Sequence, residues 1–169
     1  TIILLTMLLF SGIGFAQESN NGKQLWAKSF LNEKAPELTV ETWISKKPDT
    51  EGKFVIIDFW ATWCGPCCGE IPYVEKLVEH YKGNDKIEML SISLDNNKKA
   101  WLSKLEQDKP TWRQYIIPTA FNSSFAKEYN IRAIPRFMIF DKDGKIVTIN
   151  AERPSAKNII EVLDGIINK

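Results

Sequence analysis

The sequence predicts an α/β domain in which a central mixed β-sheet carries helices on both faces. Three observations point there. Residues 54–59 form an almost continuous apolar run, as in a strand covered on both sides, and that run enters Trp60-Ala61-Thr62-Trp63-Cys64-Gly65-Pro66-Cys67. Strand-like and helix-like segments then alternate as far as residue 129. The chain finishes with a hairpin signal followed by an amphipathic helix.

Thr1 to Phe15 is apolar and ends in Gly14-Phe15-Ala16 before Gln17, with small residues where a signal peptidase needs them. The stretch is short for a membrane span of roughly 20 residues. Residues 1–16 are therefore expected to be a leader lacking its basic n-region, residues 17–33 a polar linker, and residues 34–169 the folded domain. An uncleaved anchor is the second reading, and the one route by which the chain would meet a membrane. Leu38-Thr39-Val40 and Thr42-Trp43-Ile44 read as short strands of an N-terminal hairpin, and residues 45–52 as a turn-rich loop. Lys53 to Trp60 reads as a central strand, interrupted only by Asp58. A helix is expected from Cys64, with Ile71, Val74, Leu77, Val78 and Tyr81 spaced three and four apart, and Pro72 should kink it. His80 falls near its end, where a cation suits the helix dipole.

Ile87 to Leu94 reads as a second buried strand. Asp95 or Asn96 is expected to cap a helix that buries Ala100, Trp101 and Leu105 and stops at Lys109-Pro110. Lys98, Lys99 and Lys104 fit a solvated face of it. Residues 111–117 suit a short edge strand. Asn122 or Ser123 can cap a short helix carrying Phe125 and Tyr129. Arg136 to Phe140 and Lys145 to Asn150 flank Asp141-Lys142-Asp143-Gly144, a hairpin signal. Pro154-Ser155 is expected to open a last helix with Ile159, Val162, Leu163 and Ile166 on one face.

The 169 residues carry a net charge of +1, so no basic surplus points to nucleic acid and no acidic surplus to a basic partner. Export implies an oxidising compartment. A disulfide-stapled scaffold would spread bridges along the chain. Here there are three cysteines and two form a close pair, which reads as working groups rather than staples. Thiols two residues apart at a helix start can close a small disulfide ring and reopen it. The helix N-terminus favours a thiolate at the first of them, and thiolate is the nucleophile of thiol–disulfide exchange. Cys64, nearest the helix end and expected to be the more exposed, would attack a substrate disulfide. Cys67, one turn inside, would resolve the mixed disulfide. Half of a zinc site and a static bridge are the alternatives, but zinc needs more ligands and His80 is the single histidine. Asp58, inside an apolar strand, should have a raised pKa and could exchange a proton with Cys67. Otherwise it is a hydrogen-bonded core carboxyl. Glu70, one turn after Cys67, either shares its face or is a solvated helix glutamate. Cys68 projects about 100° round the helix from Cys67 and reads as a partly buried, inert thiol. Trp60 reads as core.

Phe59 to Cys67, followed by Ile134-Pro135 ahead of a hairpin, resembles a thioredoxin-fold protein. Ala35-Pro36, Glu70-Ile71-Pro72 and the helix inserted between the motif half and the Ile134-Pro135 half are similar to the exported TlpA/ResA-like thiol–disulfide oxidoreductases. The resemblance implies a thioredoxin fold with an extra N-terminal hairpin, and a redox-active Cys64–Cys67 disulfide with no other cofactor and no metal. It also implies that Pro135 is a cis proline, with Ile134 offering its backbone to an incoming peptide as an added strand. Trp63, Gly65 and Pro66 would shape the docking surface around the first sulfur. Asp58 matches the buried aspartate position of thioredoxins, and Glu70 a glutamate that ResA-like proteins place near the thiols. Partners would be exported proteins with disulfides or thiol pairs, apocytochrome c among them, and a membrane thiol carrier would deliver electrons to a monomeric, extracytoplasmic reductase. Two rivals share the fold. A peroxidase of the alkyl hydroperoxide reductase group would place Thr at position 61, where this chain has Ala. A non-catalytic adaptor or metal-binding module would lose the thiol pair or add His and Met ligands.

Overall fold

The structure is a computed structural model that describes residues 52–117 and 119–168. The expected leader, linker and N-terminal hairpin lie outside the described residues. Five strands form one sheet in the order β3-β2-β1-β4-β5: β1 is Phe54–Trp60, β2 Ile87–Ser93, β3 Arg113–Ile116, β4 Arg136–Phe140 and β5 Ile146–Thr148. The first three are mutually parallel; β4 and β5 run antiparallel to their neighbours. Among the described residues four helices accompany them, α1 Gly65–His80, α2 Lys98–Asp108, α3 Ser124–Glu128 and α4 Ile159–Ile167, with a 3-10 turn at Ala120–Asn122. This is the mixed sheet flanked by helices that the sequence predicts.

Strand alternation divides the core. Val55, Ile57 and Phe59 of β1 join Leu90, Ile92, Met138 and Phe140 on one face, covered by Phe125 and Ala126 of α3. Ile56 points the other way, to Met89, Phe137 and Ile139, beneath Val74 and Leu77 of α1 and Ile159 and Leu163 of α4. At the carboxyl end of β1 this second face continues into a third cluster, where Trp60, Cys64 and Cys67 meet Trp101 and Leu105 of α2 and Ile116 of β3.

Element ends show which side chains do the local work. Ser123 Oγ accepts from Ala126 N at 2.9 Å and caps α3. Lys109 adopts the left-handed conformation that closes α2, with φ of 50°. In the β4–β5 turn, Asp141 Oδ1 accepts from Asp143 N and Lys145 N, and Gly144 takes a φ of 75°.

Two expectations about helix starts are corrected. The cap of α2 is Asn97, whose Oδ1 accepts from Ala100 N at 3.1 Å, not Asp95 or Asn96. Asp95 is buried and engaged elsewhere, and Asn96 is exposed. Pro154-Ser155 lies in a turn, where Ser155 is held by a buried glutamate on α1, and α4 begins only at Ile159. Within α2, Trp101 and Leu105 are buried while Ala100 is only half-buried.

Candidate active site

The site is built where β1 hands the chain to α1. Cys64 is the N-cap of α1, with extended backbone at φ −89° and ψ 96°, and its Sγ accepts from Cys67 N at 3.2 Å. Pro66 sits in the first turn, where a missing N–H costs no helix hydrogen bond. Cys64 and Cys67 are joined as a disulfide, with Cα atoms 5.2 Å apart. Cys64 is the more exposed by a small margin, 6% against 2%. A sulfur at a helix N-cap receives backbone N–H groups and the positive end of the dipole, which lowers the cost of a thiolate there.

The loop ahead of the cysteines is clamped. Asp95 Oδ2 accepts from Thr62 N at 2.9 Å and from Ser93 Oγ at 2.7 Å, while Oδ1 accepts from Thr62 Oγ1 at 2.7 Å. Three donors on a buried carboxylate fix the turn that delivers Trp63 and Cys64. Trp63 is 61% exposed, and Gly65 and Pro66 are also exposed. Trp60, by contrast, is buried against Cys64 and Cys67. Ile134 is half-exposed and packs on that same cluster, and its peptide bond to Pro135 is cis. The expected docking residues are thus brought beside the disulfide from two distant segments.

Asp58 is buried beneath α1, on the sheet face that also carries Ile56 and Trp60. Burial pushes its carboxyl up to about 7. The hydrogen bond from Ser91 acts against that rise, and the Glu70 charge adds to it. Ser91 Oγ donates to Asp58 Oδ2 at 3.0 Å, and Trp112 Nε1 donates to Ser91 Oγ at 2.8 Å. Asp58, Trp60, Ser91, Trp112, Gln114 and Asp108 line one cavity with apolar Ile71, Leu105 and Pro110; its free volume is about 10 Å³, near the minimum for one water molecule. Trp60 Nε1 and Gln114 Oε1 are buried without a hydrogen-bond partner among the described residues.

Glu70 shares the buried stripe of α1 with Cys67, the first of its two readings. It is buried, not solvated, and its carboxylate accepts from Ser155 N at 3.0 Å and Ser155 Oγ at 2.9 Å, tying α1 to the segment before α4. Its charge reaches Asp58. Cys68 is half-buried, with its thiol directed at Thr62 O, 3.7 Å away, and burial pushes its pKa up. That environment disfavours the thiolate. His80, the last residue of α1, stacks edge-on to Tyr81.

Sequence reading passed over Asp95 as a clamp and Ser91 and Trp112 entirely, and took Ser155 only as a helix start. One signal was available for Ser91: like Asp58, it is a polar residue inside an otherwise largely buried strand. Among the described residues no group of three or more His, Cys, Asp or Glu side chains could hold a metal ion, and no helix is long and apolar enough to cross a membrane.

Comparison with known proteins agrees with this geometry. The chain is 27% identical over 174 residues to the thiol-disulfide oxidoreductase ResA of Bacillus cereus (strain ZK / E33L), covering 99% of this chain and 93% of the relative. It is 29% identical over 138 residues to the thioredoxin-like protein YneN of Bacillus subtilis (strain 168), covering 78% of each. A crystal structure ascribed to a thiol-disulfide oxidoreductase of Bacteroides vulgatus superposes with a TM-score of 0.64 at 40% identity, over 71% of this chain and 82% of that one. The Redoxin family model matches residues 32–164. A disulfide at the mouth of a helix, on a mixed sheet with these relatives, makes this chain a thiol–disulfide oxidoreductase of TlpA/ResA-like type, and it belongs to the Redoxin family.

Proposed function

We propose that the chain is an exported reductase of disulfides in other exported proteins, with Cys64 as the attacking thiol and Cys67 as the resolving one. The observation that carries this reading is the Cys64–Cys67 disulfide at the α1 N-cap, flanked by exposed Trp63 and half-exposed Ile134. The reduced enzyme starts with a Cys64 thiolate, which attacks one sulfur of a substrate disulfide. A Cys64–substrate bond forms, the substrate S–S bond breaks, and the departing sulfur leaves as a thiolate that takes a proton from water. Cys67 then gives its proton to ionised Asp58 and attacks Cys64 Sγ. The internal disulfide closes, the second substrate sulfur leaves as a thiolate and is protonated, and the substrate has gained two electrons. Asp58 releases its proton to solvent, with the cavity toward half-buried Asp108 and Pro110 as the exit.

Several placements support the roles. Ile71, one turn beyond Cys67 on α1, lines the cavity with Asp58, so the carboxyl lies under the stripe that carries the resolving thiol. Ile134 would offer its N–H and C=O to an extended substrate segment, with Trp63, Gly65, Pro66 and Pro135 forming the rest of the docking surface. Glu70 acts through its charge on Asp58 and its tie to Ser155. The apolar leader-like stretch at residues 1–16 supports export, and a monomer in an oxidising compartment would draw electrons from a membrane thiol donor. Apocytochrome c thiols are one substrate class in keeping with the ResA likeness.

The test is a pair of variants in single-turnover reduction of a disulfide peptide. Cys64→Ser should lose all activity, and Cys67→Ser should accumulate a mixed disulfide visible by mass spectrometry. Full activity in Cys64→Ser would refute the assignment. The Cys64–Cys67 reduction potential then fixes the direction: a low value fits a reductase, a high one an oxidant.

A further inference from the structure

Asp58 heads a polar row that crosses three strands. In register it pairs with Ser91 of β2, and Ser91 pairs with Gln114 of β3. All three side chains are buried on the face beneath α1 and α2, and all three line the same cavity. Trp112, just before β3, reaches into this row and donates its indole N–H to Ser91 Oγ at 2.8 Å. A hydroxyl has one hydrogen to give. With the indole N–H directed at the Ser91 oxygen, that hydrogen is given to Asp58 Oδ2, 3.0 Å away.

The charged surroundings leave this bond a large share of the work. From α1, Glu70 repels an Asp58 carboxylate, and the Cys68 thiol is itself disfavoured as a thiolate by the Asp58 charge. From the end of α2, Asp108 lines the cavity, ion-paired with Lys104. The cavity lining contains no cationic residue. A hydrogen bond given to the ionised form is then what opposes desolvation.

We propose that Ser91 and Trp112 are a positioning pair for Asp58: the indole orients the hydroxyl so that its hydrogen favours the carboxylate that accepts the Cys67 proton. The inference rests on the reading of Asp58 as that acceptor. When Cys67 S–H breaks, the proton passes to Asp58 and the electron pair stays on sulfur to form the S–S bond with Cys64. The step runs only with Asp58 ionised, so the pair governs how much of the enzyme is competent near neutral pH.

The experiment measures two things on folded protein. The first is the Asp58 carboxyl titration, followed by NMR of carboxyl-labelled protein. Ser91→Ala should raise its midpoint by about one pH unit, and Trp112→Phe should raise it by a smaller amount in the same direction. The second is the pH–rate profile for resolution of a preformed Cys64–peptide mixed disulfide. From a midpoint of about 7, a one-unit rise should slow resolution at pH 7 about fivefold in Ser91→Ala. Adding Ser91→Ala to Asp58→Asn should slow it no further. A midpoint unmoved in both single variants overturns the positioning pair. A pH–rate profile unmoved in Asp58→Asn overturns the acceptor reading beneath it, and the titration tells the two failures apart.

Discussion

The two faces of the sheet solve different problems with the same strands. The buried centre of the face under α3 is apolar: Ile57, Phe59, Leu90, Ile92 and Met138 pack around Phe125, while Glu88 and Arg113 pair half-buried at its margin. The opposite face carries Asp58, Ser91 and Gln114 in one row, a disulfide at its rim, and a cavity beside it. One face maximises burial of hydrocarbon. The other keeps a carboxyl out of water at a cost, held by hydrogen bonds that only partly compensate. The difference teaches that the site is not grafted on the end of a finished core. The odd-numbered side chains of β1 fill the apolar core, while Asp58 and Trp60 lie on the other side of the same strand, the side that carries the disulfide.

That contrast can be broken most severely on the apolar face. Phe125→Ala should cost about 3–5 kcal/mol in denaturant unfolding and leave the Cys64–Cys67 reduction potential unchanged. A shifted potential would mean that the two faces are coupled. The polar face should respond to pH instead. Asp58 has an ordinary value of 3.8 and is raised to about 7 in the fold, so the folded state holds a proton that the unfolded chain releases. The Asp58 contribution to stability is therefore fullest below about pH 4 and is lost as pH rises through 7, by about 4 kcal/mol in all. Asp58→Asn should flatten that slope and stabilise the protein at pH 8, while slowing mixed-disulfide resolution about 100-fold. A pH-independent wild-type stability would remove the burial argument.

Smaller effects sharpen the comparison. Asp95→Ala leaves the Thr62 amide, the Thr62 hydroxyl and the Ser93 hydroxyl without their acceptor, and should cost about 2–3 kcal/mol. Because the clamp sets the loop before Cys64, alkylation of the reduced Cys64 thiol should change as well, which Phe125→Ala should not do. Ser155→Ala removes one of the two bonds to Glu70 and should cost about 1 kcal/mol by thermal or denaturant unfolding.

Legibility in the sequence followed the range of the interaction. The thiol pair, the strand before it and α1 after it are written in contiguous residues, so spacing and hydrophobic period sufficed. Cys64 capping its own helix is a local event of this kind. The Asp141–Gly144 turn is another, since its bonds stay within five residues. Asp95 shows where locality misleads. An aspartate shortly before a helix looks like a cap, but Asn97 is nearer to the helix and takes that place. The Asp95 carboxylate is left to Thr62, 33 residues away. Glu70 misleads similarly, because its helix position says nothing of Ser155, 85 residues on.

By itself the sequence determined the mixed sheet, the helix that presents Cys64 and Cys67, and the burial of Asp58, because hydrophobic period and helix-end chemistry act over a few residues. The tertiary structure alone decided what surrounds Asp58. Parallel pairing sets Ser91 beside it and Gln114 beside Ser91, and the loop before β3 brings in Trp112. Strand register is a long-range choice, made by whole faces of the sheet as they pack, and no local pattern in the chain records it.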